Sequence, residues 1–260
     1  MNFPLSDFLR ILLILAGPAV GSFAALLADR LPRGEPVLMA RSRCRSCGAK
    51  LSALQMIPLV SYPVLRGRCA SCGASIPAHL WHAELLGLVL AIGAVFTADT
   101  ALEAFLGAAL LWCLLALALA DLKHFRLPDQ LTGSLLIIAL VLAIIRDDGE
   151  MFHRQLGMAV LGAALGFGVF WLIRLAYQWR MGREGLGLGD VKLMAGIGAA
   201  VGPIAIPHVT LLAGVSALLL VLLRNWRTGR KIRRTARVPF GAALSVSAAL
   251  VWLAIQGGYL

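Results

Sequence analysis

Apolar and polar residues follow one another along this chain in long blocks rather than at short intervals. Apolar runs long enough to span a membrane occur near residues 8–28, 82–98, 101–120, 131–145, 156–177, 191–206, 207–223 and 239–257. The pattern predicts an all-α polytopic membrane protein with about eight transmembrane helices. The limits of the sixth and seventh runs are the least sharp, because Pro203 and Pro207 divide them and proline is common in membrane helices.

The composition agrees with this pattern. Of 260 residues, 60% are hydrophobic and 14% are charged, whereas about a quarter of the residues in a soluble domain are charged. The first run is followed by Asp29-Arg30-Leu31-Pro32-Arg33 rather than by a small-residue cleavage site. We therefore interpret it as a retained helix and not as a cleaved signal peptide.

The net charge of +11 lies mainly in alternate loops. Lys and Arg are concentrated in the 29–80 and 224–238 loops, and the acidic residues of the opposite loops are Asp99, Glu103, Asp147, Asp148 and Glu150. The positive-inside rule then places the loops at 29–80, 121–130, 178–190 and 224–238 in the cytoplasm and both termini outside. The basic charge is explained by topology and by attraction to anionic lipid of the bilayer, and no nucleic-acid partner is predicted.

Two aspartates mark a possible active site at the cytoplasmic face. Asp121 ends the third run in "ALADLKHFRLPD", and Asp190 begins the sixth in "GLGLGDVKLMAGIG". An aspartate beside hydrocarbon costs roughly 2.5 to 3.5 kcal/mol, and a pair of carboxylates can hold one proton between them and act as base and acid. The alternatives are a charge at a helix end for Asp121 and an N-cap for Asp190. For Asp129 a helix cap is the favoured interpretation.

The first basic loop contains a predicted metal site. Its sequence "CRSCGAKLSALQMIPLVSYPVLRGRCASC" holds two C-x-x-C pairs, Cys44 with Cys47 and Cys69 with Cys72. A glycine follows each pair, which lets a knuckle turn close, and four thiolates complete a tetrahedral Zn²⁺ shell that is structural because no position stays open for water. A redox role is less favoured, because neither pair opens a helix after a strand. Cys113, in an apolar run, is interpreted as a core residue.

Taken together, these motifs resemble the type IV prepilin peptidases, over about residues 21–241. The resemblance lies in G-S-F followed by R-L-P-R-G, the two cysteine pairs around "IPLVSYPVLRGRC", an aspartate followed by L-P-D, G-x-G-D-V-K-L, and P-F-G. The chain has "AALLAD" and "HLWHAE" where the family commonly has an asparagine after G-S-F and R-Y-P before the glutamate.

The resemblance implies a bifunctional enzyme of the bacterial inner membrane. It implies a G-x-G-D aspartic endopeptidase, with Asp121 and Asp190 as catalytic carboxylates, which removes the short basic leader of type IV prepilins or of the pseudopilins of type II secretion. It also implies N-methylation of the new N-terminus with S-adenosylmethionine as co-substrate, whose binding residues no motif identifies. The expected organisation is a first helix at 1–28, a four-cysteine zinc loop at 29–80 and a protease core at 81–260.

Two other classes of function fit parts of the sequence. A proton-coupled transporter would explain the membrane aspartates but neither the cysteine loop nor the position of both acids at one face. A zinc-bearing membrane scaffold would make both aspartates helix caps. The sequence determines neither the particular substrates nor the oligomeric state.

Overall fold

The computed structural model describes residues 5–37, 42–146, 152–183, 185–228 and 238–260. Within them the long elements are all α-helices and no strand occurs. The acidic residues at 147, 148 and 150 and the basic residues at 230–237 that entered the topology prediction lie outside these ranges. The helices are α1 (Leu5–Arg30), the single turn α2 (Ser61–Val64), α3 (Ala78–Phe96), α4 (Ala101–His124), α5 (Asp129–Ile145), α6 (Phe152–Met181), α7 (Leu188–Val201), α8 (Ile206–Thr228) and α9 (Phe240–Gln256).

Each predicted apolar run corresponds to one helix, which confirms the all-α polytopic membrane fold. Five helical stretches are long and apolar enough to cross a membrane: Leu5–Arg33, Ala78–Phe96, Ala101–His124, Arg154–Met181 and Ile206–Trp226. α5 and α9 are shorter apolar helices. The sixth predicted span, 191–206, is wrong in its limits, because α7 has 14 residues and is about 21 Å long, less than the roughly 30 Å of bilayer hydrocarbon.

The chain divides into two compact units, Met1–Ala116 and Leu117–Leu260. In the first unit, α1 packs directly against α3. A Cβ on Gly17 would lie 2.9 Å from the carbonyl oxygen of Gly87, and a Cβ on Gly87 would lie 2.7 Å from the Cα of Gly21. Small residues thus let the two backbones touch, as is common in membrane helix pairs. The predicted domain limits at residues 28 and 80 stay a prediction.

In the second unit α7 is the central helix and packs against α5, α6, α8 and α9. A Cβ on Gly198 would lie 2.7 Å from the carbonyl carbon of Gly162 in α6, so only glycine allows this approach. Val191, Leu193, Met194 and Ile197 of α7 are completely buried. A helix that is enclosed by other helices does not have to match the thickness of the bilayer, because its sides contact protein rather than lipid.

The helices of the second unit alternate in direction. At one end, a cavity of about 480 Å³ is lined by the C-terminal parts of α5, α7 and α9 and the start of α6, including Arg146 and Arg154. The guanidinium of Arg146 lies 5.4 Å from the ring centroid of Trp252. The end of α4 and the N-termini of α7 and α9 do not line this cavity and meet one another at Asp121, Asp190 and Gly241.

Candidate active site

Two carboxylates of the second unit converge on the first turn of α9. A Cβ on Gly241 would lie 3.0 Å from Oδ1 of Asp190 and 3.1 Å from Oδ2 of Asp121. Because both oxygens lie close to one point, their separation cannot exceed the sum of these two distances. The two carboxylates are therefore within reach of each other through one water molecule, or directly.

Asp121 is fixed by the N-terminus of α9. Only 6% of the residue is exposed, and its Oδ2 accepts a hydrogen bond of 2.8 Å from the backbone N–H of Ala242. Ala242 is in the first turn of α9, where backbone N–H groups have no partner within the helix and the helix dipole favours negative charge. Asp121 itself is in the last turn of α4, so α9 orients a carboxylate that α4 provides.

Asp190 is half-buried and is the third residue of α7. The interpretation of Asp190 as an N-cap is wrong, because the N-cap of α7 is Gly187 and no side chain caps this helix. Oδ2 of Asp190 lies 3.4 Å from the position of a Cβ on Gly187. The carboxylate is thus held between the loop before α7 and the start of α9, where it faces Asp121.

The loop that carries Asp190 is held by α6. Arg174 is buried, and its Nη1 donates a hydrogen bond of 2.6 Å to the carbonyl oxygen of Leu186. The ring of Tyr177 lies against Gly185, where a Cβ would approach the Cε1 atom to 2.6 Å. A buried arginine in a membrane-length helix is costly unless it is paired, so we infer that Arg174 serves to fix this loop.

Leu127, in the connection between α4 and α5, packs against two glycines that lie next to the carboxylate pair. A Cβ on Gly189 would lie 3.0 Å from the Cβ of Leu127, and a Cβ on Gly241 would lie 2.9 Å from its Cδ1. Any larger residue at either glycine would push Leu127 or a carboxylate away. The glycine of the G-x-G-D motif next to Asp190 is thus explained by close packing rather than by φ, since the structure gives it no positive φ value.

Asp129 has a different role from the one expected. The N-cap of α5 is Pro128, and no side chain caps that helix, so the interpretation of Asp129 as a cap is wrong. Its Oδ1 lies 2.7 Å from Nζ of Lys192 in α7. The Asp129 side chain is 71% exposed and that of Lys192 is 45% exposed, and an ion pair this exposed contributes about 0–1 kcal/mol.

The four cysteines of the first loop come together as predicted. Their sulfur atoms all lie within 4.8 Å of one another, and the sulfurs of Cys44 and Cys72 are 3.9 Å apart. Zinc bound tetrahedrally by thiolates at about 2.3 Å requires sulfurs about 3.8 Å apart. The cluster could therefore hold a metal ion, and its geometry is consistent with a zinc knuckle.

Both halves of the cluster have the same local structure. Isolated antiparallel bridges join Arg43 to Lys50 and Arg68 to Ser75. Gly48 and Gly73 have φ values of 70° and 71° and follow the second cysteine of each pair. Because L-residues with a side chain rarely adopt this left-handed conformation, the glycines close the two turns as the sequence predicted.

The surroundings of the four thiols shift the pKa values of Cys44 and Cys72 in opposite directions. Backbone N–H groups of Cys47 and Ser46 lower the pKa of the Cys44 thiol to about 6. The backbone N–H of Ala74 also lowers the pKa of Cys72, but the adjacent sulfur of Cys47, desolvation and the other sulfurs outweigh it and raise this pKa to about 12. A divalent cation would remove this repulsion, because metal-bound thiols are deprotonated.

The cysteine loop is joined to the helices by a buried aspartate. Asp29, which is buried at the end of α1, lies 3.1 Å from Arg33 and forms a second ion pair with Arg45, between the first two cysteines. The first knuckle is thus held against α1 by charge-assisted hydrogen bonds. Cys113 lies apart from the cluster in α4 and is buried, as predicted.

Comparison with known proteins decides which class of protein this fold belongs to. The model of the type IV leader peptidase family matches residues 108–222, and that of the bacterial peptidase A24 N-terminal domain matches residues 15–98. A prepilin leader peptidase/N-methyltransferase of Aeromonas hydrophila is 37% identical over 85% of this chain and 73% of its own length. The chain belongs to the type IV leader peptidase family.

Other members of the leader peptidase family are similarly close. A prepilin leader peptidase/N-methyltransferase of Burkholderia pseudomallei (strain 1026b) is 35% identical over 90% of this chain and 74% of its own length. One from Dichelobacter nodosus is 31% identical over 84% and 72%. The search of solved structures found no match. Family membership makes the chain a peptidase and argues against a transporter or a scaffold.

Sequence reasoning missed three parts of this candidate site. Gly241 and Ala242 contribute only backbone, and the sequence alone assigns no mechanism to P-F-G or to Arg174. One signal was available for α9, because the first turn of any helix offers free N–H groups to an acidic side chain. Nothing in the sequence alone pointed to Asp121 as that partner.

Proposed function

We propose that this protein is a membrane-embedded aspartic endopeptidase that removes the short basic leader of prepilins or pseudopilins. The observation that carries the proposal is the convergence of Asp121 and Asp190 on Gly241 at the N-terminus of α9. In this proposal the site faces the cytoplasm at the edge of the inner membrane, where a basic leader joins an apolar helix. The clustering of basic residues in the loops on that side supports this orientation.

The geometry favours hydrolysis without a covalent intermediate. A water molecule between the two carboxylates loses its proton to one of them as it attacks the scissile carbonyl carbon. The partner, protonated at that stage, donates its proton to the carbonyl oxygen. When the tetrahedral intermediate collapses, the first carboxylate passes the proton it took from water to the leaving amine, and the partner regains its proton from the hydroxyl that becomes the new carboxyl group. Two ionised carboxylates this close repel each other, so a state in which they share one proton is favoured. The bond from Ala242 holds Asp121 in place throughout.

We further propose that the protein methylates the new N-terminus that cleavage exposes. The names of the relatives from Aeromonas, Burkholderia and Dichelobacter, which combine leader peptidase and N-methyltransferase, support this second activity. S-adenosylmethionine, when bound, would supply an electrophilic methyl group on a sulfonium.

The direct test incubates the purified protein with a prepilin-like peptide and S-adenosylmethionine. Mass spectrometry of both products then reports the cut position and any mass gain of one methyl group. Cleavage at another peptide bond, or none with an active positive-control peptidase, would overturn the assignment.

We propose that the four-cysteine cluster binds structural zinc, and we expect about one equivalent of zinc per chain because one tetrahedral shell is present. Elemental analysis of detergent-purified protein measures this. Cys47→Ser should lose the metal and make the loop more sensitive to proteases, while the membrane helices stay inserted. Cys113→Ser, outside the cluster, serves as the control and should keep the metal. Wild-type protein without zinc would contradict the proposal.

We expect Asp129→Asn to retain at least about half of wild-type cleavage, because an exposed ion pair contributes little. The change removes the negative charge that forms the ion pair with Lys192 but leaves a polar side chain of nearly the same size. Initial cleavage rates at several salt concentrations measure the effect, and the difference from wild type should shrink as salt screens the pair. A complete loss of cleavage would place Asp129 in the catalytic machinery.

A further inference from the structure

The segment between the two cysteine pairs is fixed to the membrane helices of the first unit at Leu59. The backbone N–H of Leu59 donates a hydrogen bond of 2.8 Å to Oε2 of Glu84 in α3, and its carbonyl oxygen accepts one of 3.3 Å from the indole N–H of Trp81. Oε1 of Glu84 accepts a bond of 3.0 Å from the Ser22 hydroxyl in α1. Leu59 is therefore tied to α3 directly and to α1 through Glu84.

These contacts lie inside the membrane-length parts of both helices. α3 has 19 residues and is about 28 Å long, close to the roughly 30 Å of bilayer hydrocarbon, so it spans the membrane only if Ala78, where it begins, lies near one boundary. Glu84 is about 9 Å further along the axis of α3. In α1, Ser22 lies about 9 Å before Ala28, the last apolar residue of that helix. Leu59 is consequently at the level of the membrane boundary.

The segment around Leu59 exposes apolar side chains. Leu54 and Val64 are 77% and 73% exposed, and Val60 is 54% exposed. Neighbouring apolar side chains left on the surface mark a site of contact with a protein or a membrane. At the level of the membrane boundary, the neighbours available to them are acyl chains.

The backbone of the segment has few free donors. Pro58 and Pro63 carry no N–H, and the N–H of Ser61 donates a hydrogen bond of 3.0 Å to the carbonyl oxygen of Ile57. Leu59 has a left-handed φ of 63°, an outlier for a bulky residue, and both of its polar groups are bonded to α3. Because unsatisfied backbone groups are costly where water is scarce, this arrangement suits a position at the edge of the hydrocarbon.

The chain on both sides of the segment is positively charged. Between Glu35 and Glu84 the sequence has no acidic residue. Basic side chains on both sides of the segment are exposed to solvent: Arg43, Lys50, Arg66 and Arg68. Apolar side chains beside Lys and Arg are the combination that binds an anionic membrane surface.

We propose that residues 54–64, which we call the interfacial segment, lie in the boundary between headgroups and acyl chains, in the leaflet on the side where α3 begins. The exposed apolar side chains contact acyl chains, and the flanking Arg and Lys contact headgroup phosphates. The partner of this surface is the bilayer, which holds the four-cysteine cluster at the membrane surface. The inference depends on neither the peptidase nor the methylation activity.

Spin labels measure the depth of the interfacial segment. A spin-labelled unnatural amino acid replaces Val64 or Leu54 in the full chain, so that the cysteines stay unmodified, and the protein is placed in vesicles of phosphatidylcholine and phosphatidylglycerol. Relaxation of the label by oxygen, which is concentrated in the bilayer, is compared with relaxation by a nickel chelate, which stays in water. We expect both labels to lie about 5–10 Å below the phosphates.

Two other positions calibrate the depth measurement. Ser71 is exposed in the turn of the second cysteine pair, and a label there should lie in water. Val89 is 53% exposed in α3, about 16 Å from the start of this helix, and a label there should report hydrocarbon. Thermal unfolding shows whether each labelled protein is folded, and if the label at one of positions 54 and 64 disturbs it, the other position decides.

Photo-crosslinking identifies what covers the interfacial segment. A benzophenone-bearing amino acid in place of Val64, irradiated in cell membranes, should add the mass of a phospholipid to the chain, whereas the same amino acid in place of Ser71 should not. Labels at 54 and 64 that are as accessible to nickel as the label at 71 would overturn the inference. Crosslinks to a protein instead of lipid would also overturn it, and either result leaves the proposed peptidase function untouched.

Discussion

Asp121→Asn and Asp190→Asn should each reduce leader cleavage by at least about 10³-fold, because general acid and base catalysis together supply a factor of this order. Asparagine keeps the size of the side chain and an oxygen that can accept the N–H of Ala242, so the local fold should survive. It cannot exchange a proton at neutral pH. Initial rates of peptide cleavage, followed by mass spectrometry, measure the loss.

The matched control for this pair is Asp129→Asn, the same exchange at an exposed carboxylate of the same unit. Zinc content and thermal unfolding of each variant show whether the protein is still folded. A variant at position 121 or 190 that cleaves at the wild-type rate would exclude that residue from the chemistry. If only one of the two were required, the proposed pair mechanism would have to be replaced by one with a single carboxylate.

Gly241→Ala should reduce cleavage by about 10²-fold, the effect of misplacing reacting groups by roughly 1 Å. The added Cβ would lie about 3 Å from an oxygen of each aspartate and 2.9 Å from Cδ1 of Leu127, so at least one of them must move. The helix itself should not suffer, because alanine is a better helix former than glycine. The variant therefore tests the geometry of the pair without altering either carboxylate.

Gly133→Ala is the matched control for Gly241→Ala. It makes the same exchange in a helix of the same unit, α5, at a position where a Cβ would meet nothing within 4 Å. It should cleave like wild type and be equally or slightly more stable. Wild-type activity in Gly241→Ala would show that the carboxylates are farther from α9 than the structure places them, whereas a loss in both variants would indicate a general effect of rigidity.

Substrate binding by each variant also distinguishes a loss of proton transfer from a displacement of groups that contact the substrate. A carboxamide at position 121 or 190 should bind the peptide about as well as wild type, because it removes only proton transfer. Gly241→Ala should alter binding as well as turnover if the displaced carboxylates or Leu127 contact the substrate. Comparing KM with kcat for the three variants therefore reports how closely the substrate approaches the N-terminus of α9.

The four-cysteine cluster and the helical membrane fold could be predicted from the sequence. Both follow from patterns that are local along the chain. An apolar run of membrane length is characteristic of a transmembrane helix, and Cys-x-x-Cys followed by glycine closes a turn through contacts only a few residues apart, as Gly48 and Gly73 confirm. The limits of α7 were predicted less well, because a buried helix can be shorter than the bilayer is thick.

The roles of the acidic residues were decided by partners far away in sequence. Asp129 and Asp190 both lie at the start of an apolar run, where a helix cap is the favoured interpretation for Asp129 and an alternative for Asp190. In the structure Asp129 pairs with Lys192 and Asp190 faces Asp121. Intrinsic helix signals describe what an aspartate can do at a helix end. Which of these possibilities is realised depends on the neighbouring helices.

The sequence by itself determined the helices, the cysteine knuckles and the two aspartates as candidates, because each depends on residue type and short spacing. Only the tertiary structure decided that the backbone N–H of Ala242 in α9 donates a hydrogen bond to Asp121 and that Gly241 leaves room for both carboxylates. It also decided that Glu84 accepts a hydrogen bond from the backbone N–H of Leu59. These are contacts of backbone or of residues many positions apart. The physical reason is that a backbone N–H or a missing Cβ has the same chemistry everywhere in a chain, and packing alone gives it a partner.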